Sequence, residues 1–223
     1  MAAFGTAVRS YGDVTENVRL QTDIAGRVSG WVQDLKFKAE GDEVKKGELL
    51  FTLDSPELIS AQQDYISALQ TGVQGRIGAA ERRLRSLGVQ NSVIKTIRKN
   101  RKAEIYMPFY AESDGVISMI SIREGTYVKP GMMVMQIQDY ASVWAEVSIA
   151  EQDIPYIDET TKVMVSFPNL GIQETRAKID YIYPTIDRAT RTGRVRLVLD
   201  NPDNILKPGA YADVEFETGV ERR

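Results

Sequence analysis

The chain of 223 residues contains no cysteine and no histidine. It therefore cannot form disulfides, thiolate nucleophiles, zinc fingers, histidine-based metal sites or Ser-His-Asp triads. It also lacks any run of about 18 apolar residues, so no segment is predicted to cross a bilayer as a helix. The opening residues, MAAFGTAVRS, lack the basic and apolar regions of a signal peptide. We expect any export signal or membrane anchor to lie outside this sequence.

A large excess of charge of one sign is absent too. The formal net charge is −3, which gives no general reason to expect a nucleic-acid partner. No Gly-x-Ser-x-Gly elbow, phosphate-binding loop or Gly-x-Gly-x-x-Gly motif occurs. The carboxylate pairs Asp180 with Asp187 and Asp200 with Asp203 are interpreted as turn residues that bond their own backbone. The sequence thus predicts a protein that is not an enzyme.

The chain does contain an internal repeat. EGDEVKKGELLFTL at 40–53 returns as EGTYVKPGMMVMQI at 124–137. In this alignment Gly41 matches Gly125 and Gly47 matches Gly131, and these glycines predict tight turns with positive φ. The flanking apolar residues alternate as in strands. Because one copy is too small to bury its apolar face, we predict that both close into one flattened β-sandwich with pseudo-twofold symmetry.

Residues 55–102 separate the two copies and have helical periodicity. Ser55 and Pro56 are typical of a helix start, and glycines at 72, 75 and 78 are expected to break that helix. A second helix up to Gly88 and a short third helix are predicted to follow. The segment is therefore predicted to form an antiparallel α-hairpin inserted into the sandwich. Its candidate partner-contact residues, near the tip, are Thr71, Gln74 and Arg76.

The returning part of this insertion is basic. A solvated helical surface is the simplest interpretation, and a surface for an acidic protein partner is the alternative. Nucleic acid is disfavoured because no aromatic residues are interleaved with the charges.

The sequence from Ser142 onward is rich in short strands separated by turn signals, which predicts an antiparallel β-barrel. An N-terminal strand in GTAVRSYGDV is expected to join it. We predict a mainly β, elongated protein of three parts: a barrel from 1–25 plus 141–220, a sandwich from 26–54 plus 104–140, and a hairpin from 55–103. Arg191, between two threonines, is expected to tie the barrel together through a carboxylate.

Several phrases carry a family resemblance, among them GDEVKKGELLFTLDSPEL, DGVISMISIREGTYVKPG and DYIYPTIDRATRTGRVRLVLDNPDNILKPGAYADVEF. They resemble the HlyD-like membrane fusion proteins, the periplasmic adaptors of tripartite RND-type efflux systems, and most closely the copper/silver CusB-type branch. The resemblance covers nearly the whole chain. It implies a periplasmic adaptor, associated with the inner membrane, that bridges an inner-membrane RND transporter and an outer-membrane channel as a ring, usually a hexamer.

The resemblance also implies that the sandwich is a lipoyl-like (biotinyl-lipoyl-like) domain. It implies a membrane-proximal domain as well, which we expect outside this sequence together with all membrane contact. Arg191 contacting the pump is then an alternative to a purely structural role. Two alternative functions remain: a metal-binding protein that delivers ions to the pump, and an adaptor of a drug or protein export system.

The positions of methionines and lysines indicate whether the chain could bind a metal ion or carry lipoyl or biotin. CusB-type adaptors take up Cu(I) or Ag(I) through an N-terminal methionine segment, which has no counterpart here. Met133 and Met135 are weak candidates for a thioether site, because strand alternation would put them on one face and Met132 on the other. Packing in the core is the expected role. No lysine lies between Lys46 and Lys95, so no lipoyl or biotin cofactor is predicted.

Overall fold

A computed structural model describes residues 7–218 of the chain. Fourteen strands and three α-helices occur in this range, together with short 3-10 turns. The strands are β1 (Ala7–Glu16), β2 (Gln21–Ala25), β3 (Gly30–Leu35), β4 (Glu43–Val44), β5 (Leu49–Asp54), β6 (Tyr106–Tyr110), β7 (Gly115–Ile120), β8 (Tyr127–Val128), β9 (Met133–Gln138), β10 (Ser142–Ala150), β11 (Lys162–Phe167), β12 (Ile172–Asp187), β13 (Thr192–Asp200) and β14 (Tyr211–Glu217). The helices are α1 (Pro56–Thr71), α2 (Gln74–Ser86) and α3 (Asn91–Asn100).

The chain divides into two compact units, one formed by residues up to Leu20 and from Tyr140 onward, the other by Gln21–Asp139. The first unit is a closed antiparallel barrel with the strand order β1-β10-β13-β12-β11-β14. Along β10, alternate side chains from Val143 to Ile149 point into the buried core, as the period of two predicts. The predicted N-terminal barrel strand is confirmed as β1, although Gly5 and Thr6 of that phrase lie outside the described residues.

The second unit contains the sandwich, whose sheets have the orders β2-β9-β7-β4 and β6-β5-β3-β8. Each repeat copy contributes its short strand to the sheet of the other copy. In the first sheet β4 pairs with β7, where Val44 is opposite Gly115; in the second β8 pairs with β3, where Val128 is opposite Gly30. Since Val44 and Val128 are equivalent in the repeat alignment and each lies opposite a glycine of the other half, the pairing obeys the predicted pseudo-twofold symmetry.

The four turn glycines extend this symmetry. All four have positive φ, between 80° and 94°, and each backbone N–H donates to a carbonyl outside its own turn at 2.8 Å. The pairs are Gly41 to Ile117, Gly125 to Val32, Gly47 to Ala111 and Gly131 to Gly26. Because the two copies bond to each other in this reciprocal way, neither can form its full hydrogen-bond set alone.

One predicted boundary is wrong. Residues 21–25 were assigned to the barrel, but they form β2, which pairs with β9 of the sandwich from Gln21 opposite Gln138 to Ala25 opposite Met133. The sequence QTDIA has weak alternation, and its placement depends on the partner strand rather than on local pattern. The barrel part of the N-terminal segment ends within the short turn Val18–Leu20.

The helices between the copies confirm the predicted hairpin and third helix. Of the three glycines expected to break the first helix, only Gly72 does so, with φ 68°, whereas Gly75 and Gly78 lie inside α2. Gly88 has φ 90° and ends the second helix, as expected. Ser55 occupies the N-cap position of α1 without a side-chain capping hydrogen bond. Within residues 7–218, no helix is long and apolar enough to cross a membrane.

Candidate functional site

The helical insertion is the candidate functional site, and its tip is a two-residue turn. Helix α1, about 24 Å long, ends at Thr71, and α2 begins at Gln74. Both are joined by Gly72 and by Val73, whose side chain is 50% exposed. The predicted contact residues Thr71, Gln74 and Arg76 are all exposed around this turn. The Thr71 hydroxyl donates a hydrogen bond to the Ala68 carbonyl at 2.8 Å, so its proton is already used within α1.

The body of the insertion is held by its own apolar core. Fully or nearly fully buried side chains from all three helices pack together, namely Leu58, Ala61, Tyr65, Leu84, Val93, Ile94 and Ile97. Burial raises the pKa of the Tyr65 hydroxyl. The ion pair between Asp64 of α1 and Arg83 of α2 joins residues at similar distances from the turn, which shows that the two helices run antiparallel.

Two glutamines join the helices to the sandwich. The side-chain amide of Gln62 accepts a hydrogen bond from the Glu104 N–H at 2.8 Å and donates to the Glu104 carbonyl at 2.9 Å. Gln90 forms the same pair of bonds with Tyr110, at 2.9 and 2.8 Å. Each amide therefore acts as a peptide group of a neighbouring strand would, one just before β6 and the other at its end. These contacts fix the helices to the edge of the sheet.

Sequence reasoning missed both glutamines. Gln62 is fully buried on the apolar face of α1, and a polar residue at an apolar position of the helical pattern is the signal that could have revealed it. Gln90 lies between α2 and α3 and has no such pattern around it, so only its partner reveals its role.

The basic surface of the insertion is partly neutralised. Arg83 pairs with Asp64, and Arg85 pairs with Glu81 of the same helix at 2.7 Å. The exposed cations Arg76, Arg82, Lys95, Arg98, Lys99 and Lys102 take part in no ion pair within the described residues. A positively charged face therefore remains available on this segment, which fits an acidic partner as well as solvent.

The predicted methionine faces are wrong. The pairing of β2 with β9 shifts register between Met133 and Met135, so the alternation is lost at this point. Met135 is fully buried, and Met132 packs against the same core, whereas Met133 is half-buried outside it. Across residues 7–218, no group of three or more acidic side chains is arranged to hold a metal ion.

Arg191 lies in the turn between β12 and β13 with φ 53°. Its guanidinium donates to Glu151 at 3.3 Å, and its carbonyl accepts from the Glu151 N–H at 3.0 Å. The Arg191 side chain is 77% exposed, so this ion pair contributes little to stability. Arg191 thus joins the turn of the β12–β13 hairpin to Glu151, which directly follows β10.

The better-buried ion pair of the barrel was missed. Asp180, at a register shift of β12 rather than in a turn, accepts from Arg19 and Arg196 at 2.7 Å each. Arg196 also lies 4.0 Å from the ring centroid of Trp144. Burial raises the pKa of Asp180, but the hydrogen bonds from both arginines outweigh it and lower that pKa. Asp187 does accept N–H groups of its own turn, from Ala189 and Thr190, as expected.

Known proteins share this architecture. ZneB from Cupriavidus metallidurans superposes with a TM-score of 0.60 at 20% identity, covering 96% of this chain and 99% of ZneB. A MacA–MexA chimera carrying the Pseudomonas aeruginosa MexA α-hairpin gives 0.62 at 19% identity, covering 96% and 82%. At these identities the likeness shows the fold alone.

Sequence comparisons identify the protein family to which the chain belongs. Residues 21–138 match the CusB barrel-sandwich hybrid domain, and residues 142–220 match the CusB-like β-barrel domain. SilB of Salmonella typhimurium, described as a membrane fusion protein, is 30% identical over 196 residues, 87% of this chain and 46% of SilB. The cation efflux protein CusB of Escherichia coli K12 is 28% identical over 89% of this chain and 49% of CusB. The chain belongs to the CusB-like family of membrane fusion proteins, and it spans about half the length of these curated relatives.

Proposed function

We propose that this chain is a non-catalytic adaptor of a tripartite RND efflux system, acting in the periplasm in association with the inner membrane. It bridges an inner-membrane RND transporter and an outer-membrane channel. The observation that carries the proposal is the sandwich built from two reciprocal copies with a helical hairpin inserted at their middle turn. The insertion replaces the turn that would carry a lysine for attachment of lipoyl or biotin. In this proposal the sandwich therefore serves as a scaffold for the hairpin and not as a cofactor carrier.

Within this scheme the hairpin tip contacts the channel. Support comes from the exposure of Thr71, Gln74 and Arg76 at a tight turn and from the unpaired basic side chains behind it. The chain assembles with itself as a ring, a hexamer in the complete pump, in which weak individual contacts add through avidity. Membrane contact comes from parts of the protein outside this sequence.

The exported substrate in this proposal is a heavy-metal cation of the Cu(I) or Ag(I) kind. Support comes from the CusB-like domain matches and from the higher identity to SilB and CusB than to CzcB. CzcB of Cupriavidus metallidurans, a cobalt-zinc-cadmium resistance protein, is 25% identical over 94% of this chain and 45% of CzcB. Divalent cations are therefore the competing substrate class.

Metal tolerance tests the proposal. The full-length gene is deleted from its host and restored on a plasmid, and growth is measured over a range of Ag(I), Cu, Zn(II), Co(II) and a set of organic drugs. We expect deletion to lower tolerance to Ag(I) and Cu and restoration to recover it. A loss confined to Zn(II) and Co(II) would correct the substrate, and a loss confined to drugs would contradict heavy-metal export altogether.

Calorimetry separates bridging from ion delivery. Because Met135 is buried and Met133 stands apart from it, we expect Ag(I) titrated into this chain to show no tight stoichiometric binding. Tight binding that is lost in Met133→Leu would instead favour a delivery protein.

A further inference from the structure

A cleft of about 460 Å³ opens at one edge of the sandwich. Its walls come from β2 and β6, the edge strands of the two sheets, and the turn between α2 and α3 covers it. The volume lies in the range of sites that hold small organic molecules. All of its lining residues belong to the unit Gln21–Asp139.

The floor of the cleft is apolar. Its accessible apolar surface comes from part-exposed side chains such as Phe109, whose ring stacks on that of Phe51 with centroids 4.8 Å apart. Leu50, Leu53 and Val134 also line the cleft but are almost completely buried. A flat or extended apolar group placed against Phe109 would be partly shielded from water, which favours its binding.

Four charged side chains line the cleft, and three of them are already occupied. Asp23 accepts from Gln21 and Gln136 at 2.7 and 3.0 Å, and Glu112 accepts weakly from Gln90 at 3.4 Å. Arg85 donates to Asn91 and Glu81. Arg27, by contrast, has neither a hydrogen bond nor an ion pair within the described residues.

Glycine at position 88 accommodates Arg27. A Cβ placed on Gly88 would lie 3.1 Å from Cδ of Arg27 and 3.5 Å from its Cβ and Cγ. The arginine stem therefore packs against the bare backbone of the α2–α3 turn, while its exposed guanidinium, with five N–H donors, has no partner among the described residues. A free guanidinium beside an apolar floor is suited to a ligand with an anionic head and an apolar body.

We propose that this cleft binds an amphipathic organic anion, with its apolar body on the Phe51–Phe109 floor and one carboxylate, sulfonate or phosphate group at Arg27. The inference does not depend on the export function proposed above. A ligand in this position contacts both the helices and the sandwich, so its binding free energy stabilises the arrangement in which the two enclose the cleft. Occupancy would thus stiffen the junction that Gln90 holds.

Binding is tested on the full 223-residue chain with naphthalene-2-carboxylate, and with 2-naphthylmethylammonium as a probe of the same ring and opposite charge. Amide shifts in ¹⁵N spectra give the site and the dissociation constant. We expect the carboxylate to shift residues of β2, β6 and the α2–α3 turn, and the ammonium to bind much more weakly. Arg27→Gln should raise the dissociation constant roughly tenfold or more, because a charged hydrogen bond is lost.

Matched variants make the result specific. Arg76→Gln removes a guanidinium from the same unit and should leave binding unchanged, and Arg27→Lys should bind with intermediate strength. Ala25→Phe fills the cleft from an exposed strand position and should abolish binding without lowering the melting temperature. Absence of saturable shifts with the wild type, equal binding of both probes, or equal affinity of Arg27→Gln and wild type would each overturn the proposal, whatever the metal-tolerance result.

Discussion

The Gln62 side chain, fully buried on α1, pairs with both backbone groups of Glu104. The residue after Glu104 leads directly into β6, so this one amide ties the outgoing helix to the strand that returns from the insertion. Gln90 repeats the arrangement with Tyr110. The direction of the helices is thereby fixed by directional hydrogen bonds and not only by apolar packing.

Replacing Gln62 should therefore destabilise the unit. In Gln62→Leu, which keeps approximate volume, the Glu104 N–H and carbonyl lose their partners, and we expect a loss of about 1–3 kcal/mol in the free energy of unfolding. Urea titration measures it. The neighbouring exposed Gln63→Leu serves as the control and should change stability by less than about 0.5 kcal/mol. Equal effects of the two variants would show that the paired amide is not important.

The turn glycines should respond differently from helical ones. Gly125 has φ 80° and open space around it, so Gly125→Ala should cost about 1 kcal/mol through backbone conformation alone. Gly115→Ala should cost more, since its Cβ would lie 2.7 Å from Ile137 and 2.8 Å from the Gln138 carbonyl oxygen. Thermal and urea unfolding measure both.

Gly75 is the opposite case. It lies inside α2 with nothing within 4 Å of its missing Cβ, so Gly75→Ala should stabilise the protein by about 0.5–1 kcal/mol. The same substitution would then have opposite signs at positions 75 and 125. If both variants were destabilised alike, the assigned backbone conformations would be wrong.

Asp180 should make the free energy of unfolding of the barrel depend on pH in the acidic range. Because its pKa is lower in the folded state, its stabilising contribution is complete above the unfolded value of about 3.9 and is lost as pH falls through the folded value. Asp180→Asn should therefore lower the free energy of unfolding near neutral pH by about 1–3 kcal/mol. The difference from wild type should shrink below about pH 4. The exposed Asp13→Asn is the control, and a difference that persisted unchanged into acid would rule out the titration of Asp180 as its cause.

Charge at the hairpin tip should affect function and not folding. We expect Arg76→Glu, made in the full-length gene, to reduce silver or copper tolerance while the melting temperature of the purified chain stays unchanged. The side chain is exposed and has no ion-pair partner in the part of the chain that the structure describes. Lys95→Glu reverses a charge on α3 and should have a smaller effect. Equal tolerance of Arg76→Glu and wild type would remove the tip from the proposed contact.

Local sequence chemistry predicted the elements whose structure is determined locally. The paired glycines required positive φ, and apolar periodicity distinguished the strands from the helices, so the sandwich, hairpin and barrel all followed from the sequence. Gly75 and Gly78 show the limit of this approach, since both lie inside α2, whose Ile77 and Leu84 are buried in the core, although glycine is a poor helix former.

Features that depend on residues distant in the chain could not be predicted from the sequence. The placement of Gln21–Ala25 and the register shift at Met133–Met135 both depend on how β2 meets β9, which neither segment encodes by itself. The same holds for Asp180, whose two arginines come from different parts of the chain. Side-chain alternation alone therefore gave the wrong methionine faces.

Site-directed cross-linking tests the bridging account most directly, and residues 1–223 contribute no cysteine of their own. Any cysteine elsewhere in the full-length protein is first replaced by serine. A single cysteine is placed at Gln74 in the full-length protein, with Lys36→Cys on the sandwich as the control, and a thiol-reactive photo-cross-linker is activated in intact cells. We predict a covalent adduct between position 74 and the outer-membrane channel protein, absent from the position 36 variant. An adduct from position 74 to the inner-membrane transporter alone, in cells that retain metal tolerance, would contradict the account.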